Sequence, residues 1–432
     1  MSRSLSFGLA AALATALALG APPAHAEERL TLAQAAQRAR TSGIDVLLAE
    51  TNVRAAEGDA RAGRALPNPA VTFSVGRGFN YDPLDSSSSR WQYTVGLSDQ
   101  ALFMELLSGK HGLKGDVGAY AVAAAKADRK NAERLVVFAT KAAYVDVVGA
   151  QKVLAVSKDI AELLGKVVEL NRLRYPKVID EGVLARVEAE KLEADQNVDQ
   201  AEANLESAQA ALAFVLGMRG QNARVTVDEK ALDYVVPPSL ATATLDALVQ
   251  QAVSQRADAK QAELSAKRAD ASMTLAKRQR VPDVSLFLQY QQMGTGQNAV
   301  QPPTFAVGVG LPVPILDMRG GTVARAEADV DSSKLSSTRV QNQIVFDVRT
   351  AFAAFTSGQR IAARFENQLM ERRRRAFEIT KAQFEAGSAT LMDFLDAERG
   401  FAGAANDRLA ALVSYWKAVF ALEAALGKEI DG

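Results

Sequence analysis

The acidic residues Asp393 and Asp396 are the clearest pair of side chains that could carry out a chemical function. They lie three residues apart in a segment with helical spacing, so both carboxylates fall on one face of the predicted helix. A pair of carboxylates on one face could attract cations. The same spacing also describes two ordinary solvated aspartates on an exposed helix, and the spacing by itself favours that simpler interpretation.

Other residue types that perform chemistry are scarce. The chain contains no cysteine and 2 histidines. His25 falls in the N-terminal segment discussed below, and His111 is expected at the surface. Soft-metal ligands therefore cannot be gathered within one chain, and we predict no metal site and no cofactor. The glycines of Gly308–Gly310 fall inside a predicted strand rather than before a helix, so they do not form a phosphate loop. We predict that the protein is not an enzyme.

The overall composition narrows the possible classes. The 50 basic residues balance the 50 acidic residues, which argues against a nucleic-acid partner. Aromatic residues make up only 6% of the chain, although 48% of it is hydrophobic. With so much alanine, this composition favours long, closely packed helices.

Residues 1–26 have the features of a secretory signal peptide: Arg3, the apolar stretch Leu5–Leu19, and the A-x-A site Ala24–Ala26. An uncleaved anchor is the alternative, but the run is short and two prolines follow it. We expect an exported mature chain from about Glu27, without disulfides and without an acylated N-terminal cysteine. No later segment offers a long uncharged apolar run, so a membrane crossing would require β-strands.

The chain carries a weak internal repeat. Thr31–Gln37 resembles Thr244–Gln250, and after each comes an alanine-rich stretch that ends in proline, two strand-like runs and a long helical region. The halves also end alike, at Ala211–Gly217 and Ala421–Gly427. We predict one repeat over residues 27–236 and a second over residues 237–432, joined at two prolines.

The helical regions show the heptad spacing of coiled coils. The two predicted apolar seams are Val153, Val156, Ile160, Leu163, Val167 and Leu170, and Leu409, Leu412, Trp416 and Val419. Helical signal from about Gly320 to Ala386 predicts a rod of roughly 100 Å. Such a rod does not fit a compact domain, although heptads alone would also suit an ordinary bundle or a scaffold coil.

Four runs alternate between apolar and polar residues and predict strands within about 70–99 and 283–312. They are Val71–Val75, Trp91–Ser98, Val284–Tyr290 (with Phe287 as an exception) and Phe305–Leu311. The connections at 80–90 and 294–303 are polar. The aromatic residues near the loop ends, which we predict to lie at a membrane interface, are Phe79, Tyr81, Trp91, Tyr93 and Tyr290. The alternative is a sheet with one face on a protein core and the other in water.

An open sheet edge cannot exist in lipid, because its N–H and C=O groups would have no hydrogen-bond partners. Four strands are also fewer than the roughly eight of the smallest membrane barrels. Membrane strands in this chain would therefore have to share a barrel with other copies, although strand count does not fix how many.

Four segments in this order resemble the TolC-like outer-membrane efflux protein family over essentially the whole mature chain. They are the strand exits Val95–Gln100 and Val309–Asp317, the turn Phe384–Gly387 and the following Leu391–Ala397. The resemblance implies a mostly α fold with a small β part. In a homotrimer, twelve strands would form a barrel in the outer-membrane lipid, continuous with a periplasmic barrel of α-helical coiled-coil hairpins.

The resemblance also implies partners and a role. The partners would be a periplasmic adaptor (membrane fusion) protein and an inner-membrane RND or ABC transporter. The chain would be a passive exit duct in a Gram-negative outer membrane for drugs, metal ions or polypeptides. A soluble periplasmic coiled-coil adaptor or scaffold without a pore is the alternative.

Residue roles follow from the same resemblance. Acids that match Asp393 and Asp396 line the closed periplasmic aperture of family members, and Glu188 is the repeat-related acid, which could join this ring or pair with a neighbouring helix. Gly182 and Gly387 would form the hairpin tips that contact the adaptor, with φ > 0 at each reversal.

Two further features concern the tip region. Ala389 stands where some family members carry a latching arginine, which indicates a weaker or different latch. The run Arg372–Arg375 is expected to be a solvated helix face, with a partner-docking patch as the other possibility.

Overall fold

The computed structural model describes residues 28–77, 91–218, 225–241, 243–294 and 302–430. The predicted signal peptide, Phe79, Tyr81 and most of the two strand connections lie outside the described residues. Helices dominate the described part, and a small sheet accompanies them. The predicted fold class, mostly α with a small β part, is therefore confirmed.

The first half contains two long antiparallel helices after a pair of strands. Its elements are β1 (Glu28–Leu30), α1 (Leu32–Ser42), α2 (Ile44–Gly63), β2 (Ala70–Arg77), β3 (Trp91–Ser98), α3 (Leu102–Leu107), α4 (Lys110–Arg174), α5 (Glu181–Val215) and β4 (Val225–Val227). Thr31 and Gln34 form a capping box that starts α1, and Gly217, with φ +68°, ends the half in a left-handed conformation.

The second half repeats this order. After a 3-10 turn at Glu229–Leu232 its elements are α6 (Pro238–Ala241), α7 (Leu245–Gln255), α8 (Ala257–Arg278), β5 (Ser285–Gln292), β6 (Thr304–Gly310), α9 (Gly320–Arg364), α10 (Met370–Glu385) and α11 (Leu391–Leu426). A π-helical segment, Phe365–Leu369, joins α9 to α10, so helical structure spans the predicted rod. Gly427, with φ +73°, ends α11 as Gly217 ends the first half.

The main core lies where the two halves meet. Tyr144 of α4 is fully buried, and its hydroxyl donates to the Leu30 carbonyl at 2.8 Å and accepts from the Asp228 N–H at 2.7 Å. This side chain thereby ties together β1 and β4, which pair in parallel. The sequence analysis did not predict these two short strands. Each has only three residues, which is too few for a periodic pattern.

The seam of α4 lies one residue later than predicted. The most buried positions are Ser157, Ala161, Leu164, Val168 and Asn171, while the predicted positions are half-buried except for Val167. The shift arises because this part of α4 packs against both α5 and α11. Its apolar seam is therefore shared between these two helices. The predicted α11 seam is confirmed, with Trp416 half-buried and its other members buried.

The four predicted strands form one antiparallel sheet in the order β2-β3-β5-β6, and β3 pairs with β5 across the two halves. The register places apolar residues opposite one another on one face. These cross-strand partners are Phe73 and Val95, Val95 and Tyr290, and Tyr290 and Phe305. Directly paired residues share a face, so the apolar side chains form one continuous surface.

Phe287, the exception to the alternation, lies on the opposite face of the sheet. Its cross-strand partner is Gly308, and a Cβ at Gly308 would lie 2.1 Å from the Phe287 Cζ atom. The ring therefore occupies the space that a side chain at position 308 would need. A glycine opposite the phenylalanine explains how an aromatic side chain fits on this face.

Among the described residues, α11 is the one helix that is long and apolar enough to cross a membrane. More than half of its apolar window (56%) is buried inside the protein. Its Glu423 carboxylate accepts a hydrogen bond from the buried Lys141 ammonium at 2.7 Å. These contacts identify α11 as a core helix of the fold.

Candidate functional site at the hairpin tips

The second hairpin reverses at Gly387, as predicted. Its φ is +78°, and the N–H of the following Ser388 donates to the Gln383 carbonyl at 2.9 Å. Together these features form a glycine-terminated helix end. Thr390, three residues after Gly387, caps the start of α11. The reversal is therefore short and well hydrogen-bonded.

The first hairpin reverses differently, and the predicted positive φ at Gly182 is wrong, while its predicted contact with an adaptor stays a prediction. Gly182 is the second residue of α5 and is not among the residues with positive φ. The chain turns earlier, between Tyr175 and Asp180, with a cis peptide bond before Pro176. The Asp180 carboxylate accepts from the Val183 N–H at 2.9 Å and caps α5. The extra residues of this tip thus perform the reversal without a left-handed glycine.

Asp393 is exposed and takes part in a capping box. The Thr390 hydroxyl donates to the Asp393 carboxylate at 2.6 Å, and the Thr390 N–H donates to the same oxygen at 3.1 Å. These hydrogen bonds lower the pKa of Asp393. The carboxylate therefore carries charge at neutral pH while part of its hydrogen-bonding capacity stabilises the helix start.

Asp396 lies almost one turn further along the same helix and is exposed. Its side chain has no hydrogen bond or ion pair with any other residue in the described ranges. The predicted pair thus divides into one acid engaged in capping and one that faces solvent. Asp396 is the more available of the two for an ion.

Glu188 follows the second of its two predicted alternatives, pairing with a neighbouring helix. The Arg172 guanidinium of α4 donates to one Glu188 oxygen from Nε at 3.1 Å and from a terminal nitrogen at 2.9 Å. The hydrogen bonds with Glu188 raise the pKa of the Arg172 guanidinium. Glu188 therefore connects the two helices of the first hairpin, and it shares the Arg172 guanidinium with Glu169, which lies 3.2 Å from it.

Aromatic packing holds the second tip against the first hairpin. The rings of Phe384 and Phe394 stack at 5.0 Å, and the Arg174 guanidinium lies 5.5 Å from the Phe384 ring centre. Phe384 and Phe394 belong to a second buried cluster, separate from the main core. The tips are therefore packed together within one chain.

Polar contacts between α5 and α11 add to this packing. Arg399 pairs with Glu190, and an Arg186 terminal nitrogen lies 2.9 Å from the Met392 sulfur. Ala389, where the resemblance implied a weaker or different latch, is half-buried against the aromatic cluster. In this chain, different residues supply the contacts across the tips.

The predicted interface aromatics that the structure describes lie at the loop end of the sheet. Trp91 and Tyr93 are exposed on β3, and the Arg77 guanidinium lies 5.7 Å from the Trp91 ring centre. Tyr290 is half-buried, with its ring 5.1 Å from that of Phe305. Their membrane role stays a prediction.

Two other predicted side chains have clear positions. His111 is half-buried, and its buried Nδ1 has no hydrogen-bond partner among the described residues, so the expected surface location is only partly correct. The run Arg372–Arg375 is exposed, as expected for a solvated face. Within the described ranges, no group of three or more acidic or histidine side chains could hold a metal ion.

The sequence analysis missed Glu398, which is buried on α11 just after the predicted acids. A signal was present. Glu398 stands four residues after Phe394 and three before Phe401, where the helical spacing requires an apolar residue. A charged residue at an apolar position of a helical pattern indicates a candidate functional residue.

The chain combines long helical hairpins, whose tips pack closely, with a small sheet that has an exposed apolar face. This is the architecture of outer-membrane efflux channels. The family model described as outer membrane efflux protein matches residues 35–218 and 248–428. The chain belongs to this family, and the predicted relation to TolC-like proteins is confirmed. The family comprises efflux channels rather than enzymes, and its model matches in two stretches, as the internal repeat predicts.

Solved structures share the fold. The CmeC outer membrane channel of Campylobacter jejuni is 18% identical, with a TM-score of 0.75 over 92% of this chain and 85% of that chain. CusC is 16% identical, with a TM-score of 0.74 over 92% of each chain. The MtrE outer membrane channel of Neisseria gonorrhoeae, in its open state, is 18% identical, with a TM-score of 0.73 over 93% and 89%. A comparison with curated proteins finds no match.

Proposed function

We propose that this chain is one of three identical subunits of an outer-membrane channel, the passive exit duct of a tripartite efflux or export system. A periplasmic adaptor and an inner-membrane RND or ABC transporter complete the system. The transporter supplies the energy and selects the small molecules or ions that leave. Residues 27–236 and 237–432 are the two repeats of each subunit.

The exposed apolar face of the sheet is the observation that carries this proposal. Val71, Phe73, Phe305 and Val307 are 73%, 68%, 74% and 82% exposed. No helix in the described ranges covers this face. At about 25 cal/mol per Å² of apolar surface, leaving such a face in water is costly, whereas contact with lipid removes the cost.

The edges of the sheet support a shared barrel. β2 and β6 are the outer strands, and each has one neighbour in the sheet. Because neighbouring strands are all antiparallel, β6 of one subunit and β2 of the next would also run antiparallel. Three sheets of four strands close a ring of twelve and satisfy every edge.

The alternative, a soluble periplasmic scaffold, fits the helices but not the sheet. A water-soluble sheet places its apolar face on a protein core and its polar face in water. Here the apolar face is the uncovered one, with Val95 and Leu97 exposed in the centre of the sheet. The channel is therefore the better interpretation.

At the periplasmic end, Asp396 is the residue best placed to form a ring of carboxylates at the aperture. It is exposed and unpaired within the described part of the chain, and three copies would attract cations in a narrow pore. Asp393 contributes charge to the same end and also caps its helix. Glu188, which is paired with Arg172, contributes less.

Cross-linking of the sheet edges tests the shared barrel. The natural chain has no cysteine, so introduced pairs react specifically. With Thr72→Cys on β2 and Ala306→Cys on β6, oxidation should join separate subunits into dimers and trimers in membrane fractions. The matched control is Thr94→Cys with Gln291→Cys, which are direct partners within one chain and should give only an internal bridge.

A protein recovered from the soluble periplasm without detergent would refute the channel. So would an edge pair that bridges only within a monomer while the internal control pair oxidises normally. A detergent-solubilised trimer that conducts ions in planar bilayers would complete the positive case.

A further inference from the structure

Glu398 is a buried acid without a partner. Its exposure is 4%, and its carboxylate makes no hydrogen bond or ion pair with any residue in the described ranges. Buried carboxylates are ordinarily hydrogen-bonded or paired, since an isolated charge loses its hydration. Burial raises the pKa of Glu398.

The carboxyl group lies between two cavities of opposite character. One, of about 360 Å³, lies among α4, α5 and α11 and is lined by polar groups that include Asn197, Asn204 and Asn406. The other, of about 250 Å³, lies among α4, α10 and α11 and is lined mainly by apolar groups that include Phe377 and Phe401. Glu398 lines both cavities, together with the polar groups of one and the aromatic rings of the other.

The charged groups around it offer no counter-ion. From α5, Glu190 and Glu193 line the polar cavity, and from α4, Asp159 lines the apolar one. On α11 itself, Arg399 lines the polar cavity and is committed to Glu190.

The remaining basic groups on the facing helices lie outside both cavity walls. Lys158 of α4 pairs with Glu202, and Arg373 of α10 lies beside Gly400. The acids around the cavities outnumber the single arginine, so ionisation of Glu398 would add to an existing negative charge.

We propose that Glu398 is a proton-binding residue that controls how tightly the two hairpins pack above the tips. With the proton bound, its neutral carboxyl is compatible with the buried interface between α11 and α4. When the proton leaves, the new charge draws water and cations into the polar cavity, and α11 separates from α4. Its place on the helix that carries Asp393 and Asp396 would transmit this loosening to the aperture. Only that last step rests on the proposed function.

Thermal unfolding of the detergent-solubilised protein tests the proton. The sign follows from the raised pKa: the folded state holds the proton more tightly than the unfolded state. Its stabilising effect is therefore present at acid pH and lost as pH rises through the folded pKa. Glu398→Gln is neutral at every pH, so the Tm difference between variant and natural protein should grow as the pH rises above the ordinary pKa of a glutamate, about 4.3.

The slope is the decisive quantity, because the amide could add a constant offset of either sign. Asp407→Asn is the matched control: it is exposed on the same helix and lines neither cavity, so its Tm difference should change less with pH than that of Glu398→Gln. A constant difference for Glu398→Gln would overturn the proposal.

Distance measurement tests the packing without any channel assay. Spin labels at Ala155→Cys on α4 and Gly403→Cys on α11 occupy exposed positions, and nothing lies near a Cβ at Gly403. The labelled protein should show a longer, broader distance distribution at alkaline pH than at acid pH, and Glu398→Gln should remove this change. An unchanged distance distribution would reject the switch even if the channel proposal holds. If the distances change with pH but the protein does not conduct ions, only the channel proposal is rejected.

Discussion

The Arg172 guanidinium and the Glu188 carboxylate join α4 to α5 through two hydrogen bonds near the first hairpin tip, at 3.1 and 2.9 Å. Glu188 is the repeat-related partner of Asp393 in sequence, yet it is paired with an arginine inside its own hairpin. Equivalent positions in the two repeats therefore have different electrostatic roles.

Glu188→Gln should leave the cation selectivity of the channel nearly unchanged. The substitution removes one charge, but that charge is already paired with Arg172 in the folded chain, away from any ring of unpaired acids. The measurement is the reversal potential of single channels in a salt gradient. A loss of selectivity as large as that of an Asp396 variant would show that Glu188 belongs to the ring.

Asp396→Asn should lower the cation-over-anion permeability ratio by roughly twofold to fivefold. The substitution removes one unpaired negative charge per subunit, and so three charges, from a narrow pore. Asp407→Asn, an exposed acid further along the same helix, serves as the matched control and should have little effect. If Asp396→Asn conducts like the natural protein, Asp396 does not line the aperture.

Asp393→Asn should combine a smaller electrical effect with a weaker helix start. Hydrogen bonds from Thr390 lower the pKa of Asp393, so the stabilisation that its carboxylate provides is present at neutral pH. That stabilisation is lost only as pH falls through the lowered pKa. Stability curves of the natural protein and the variant should therefore converge at strongly acid pH. Curves that stay parallel would contradict the capping role.

Gly387→Ala should destabilise each subunit by about 1 kcal/mol, because its φ of +78° strains a residue with a side chain. Gly182→Ala is the natural comparison. Gly182 lies inside α5, where a Cβ would meet only the Asp180 Oδ1 atom at 3.3 Å. Its denaturation midpoint should change little. Equal losses at both sites would mean that the two turns share one geometry.

Gly308→Ala should impair barrel formation, with a cost of about 1–3 kcal/mol for the overpacked sheet. The new Cβ would lie 2.1 Å from Phe287 Cζ, and the ring would have to move. The measurement is the amount of trimer that survives heating before gel electrophoresis. Adding Phe287→Leu to Gly308→Ala should recover much of this trimer. The double variant is therefore the informative one: failure to recover would place the cause elsewhere than in this contact.

Periodic and local features were determined by sequence alone. The alternation of Trp91–Ser98 predicted β3 at its observed ends, and the glycine turn predicted at Gly387 lies where α10 ends and α11 is about to begin. These signals depend on neighbours within a few residues along the chain, so they can be recognised without a fold. The family resemblance rested on the same local features in their order.

Only the tertiary structure decided which groups meet across the chain. Arg172 and Glu188 lie on different helices, Phe287 requires a glycine on the neighbouring strand, and the seam of α4 is divided between two partners. Glu398 was missed at the level of sequence, and its spacing could not have shown that it is left without a counter-charge. Burial and pairing depend on residues far apart along the chain, and packing, not periodicity, brings them together.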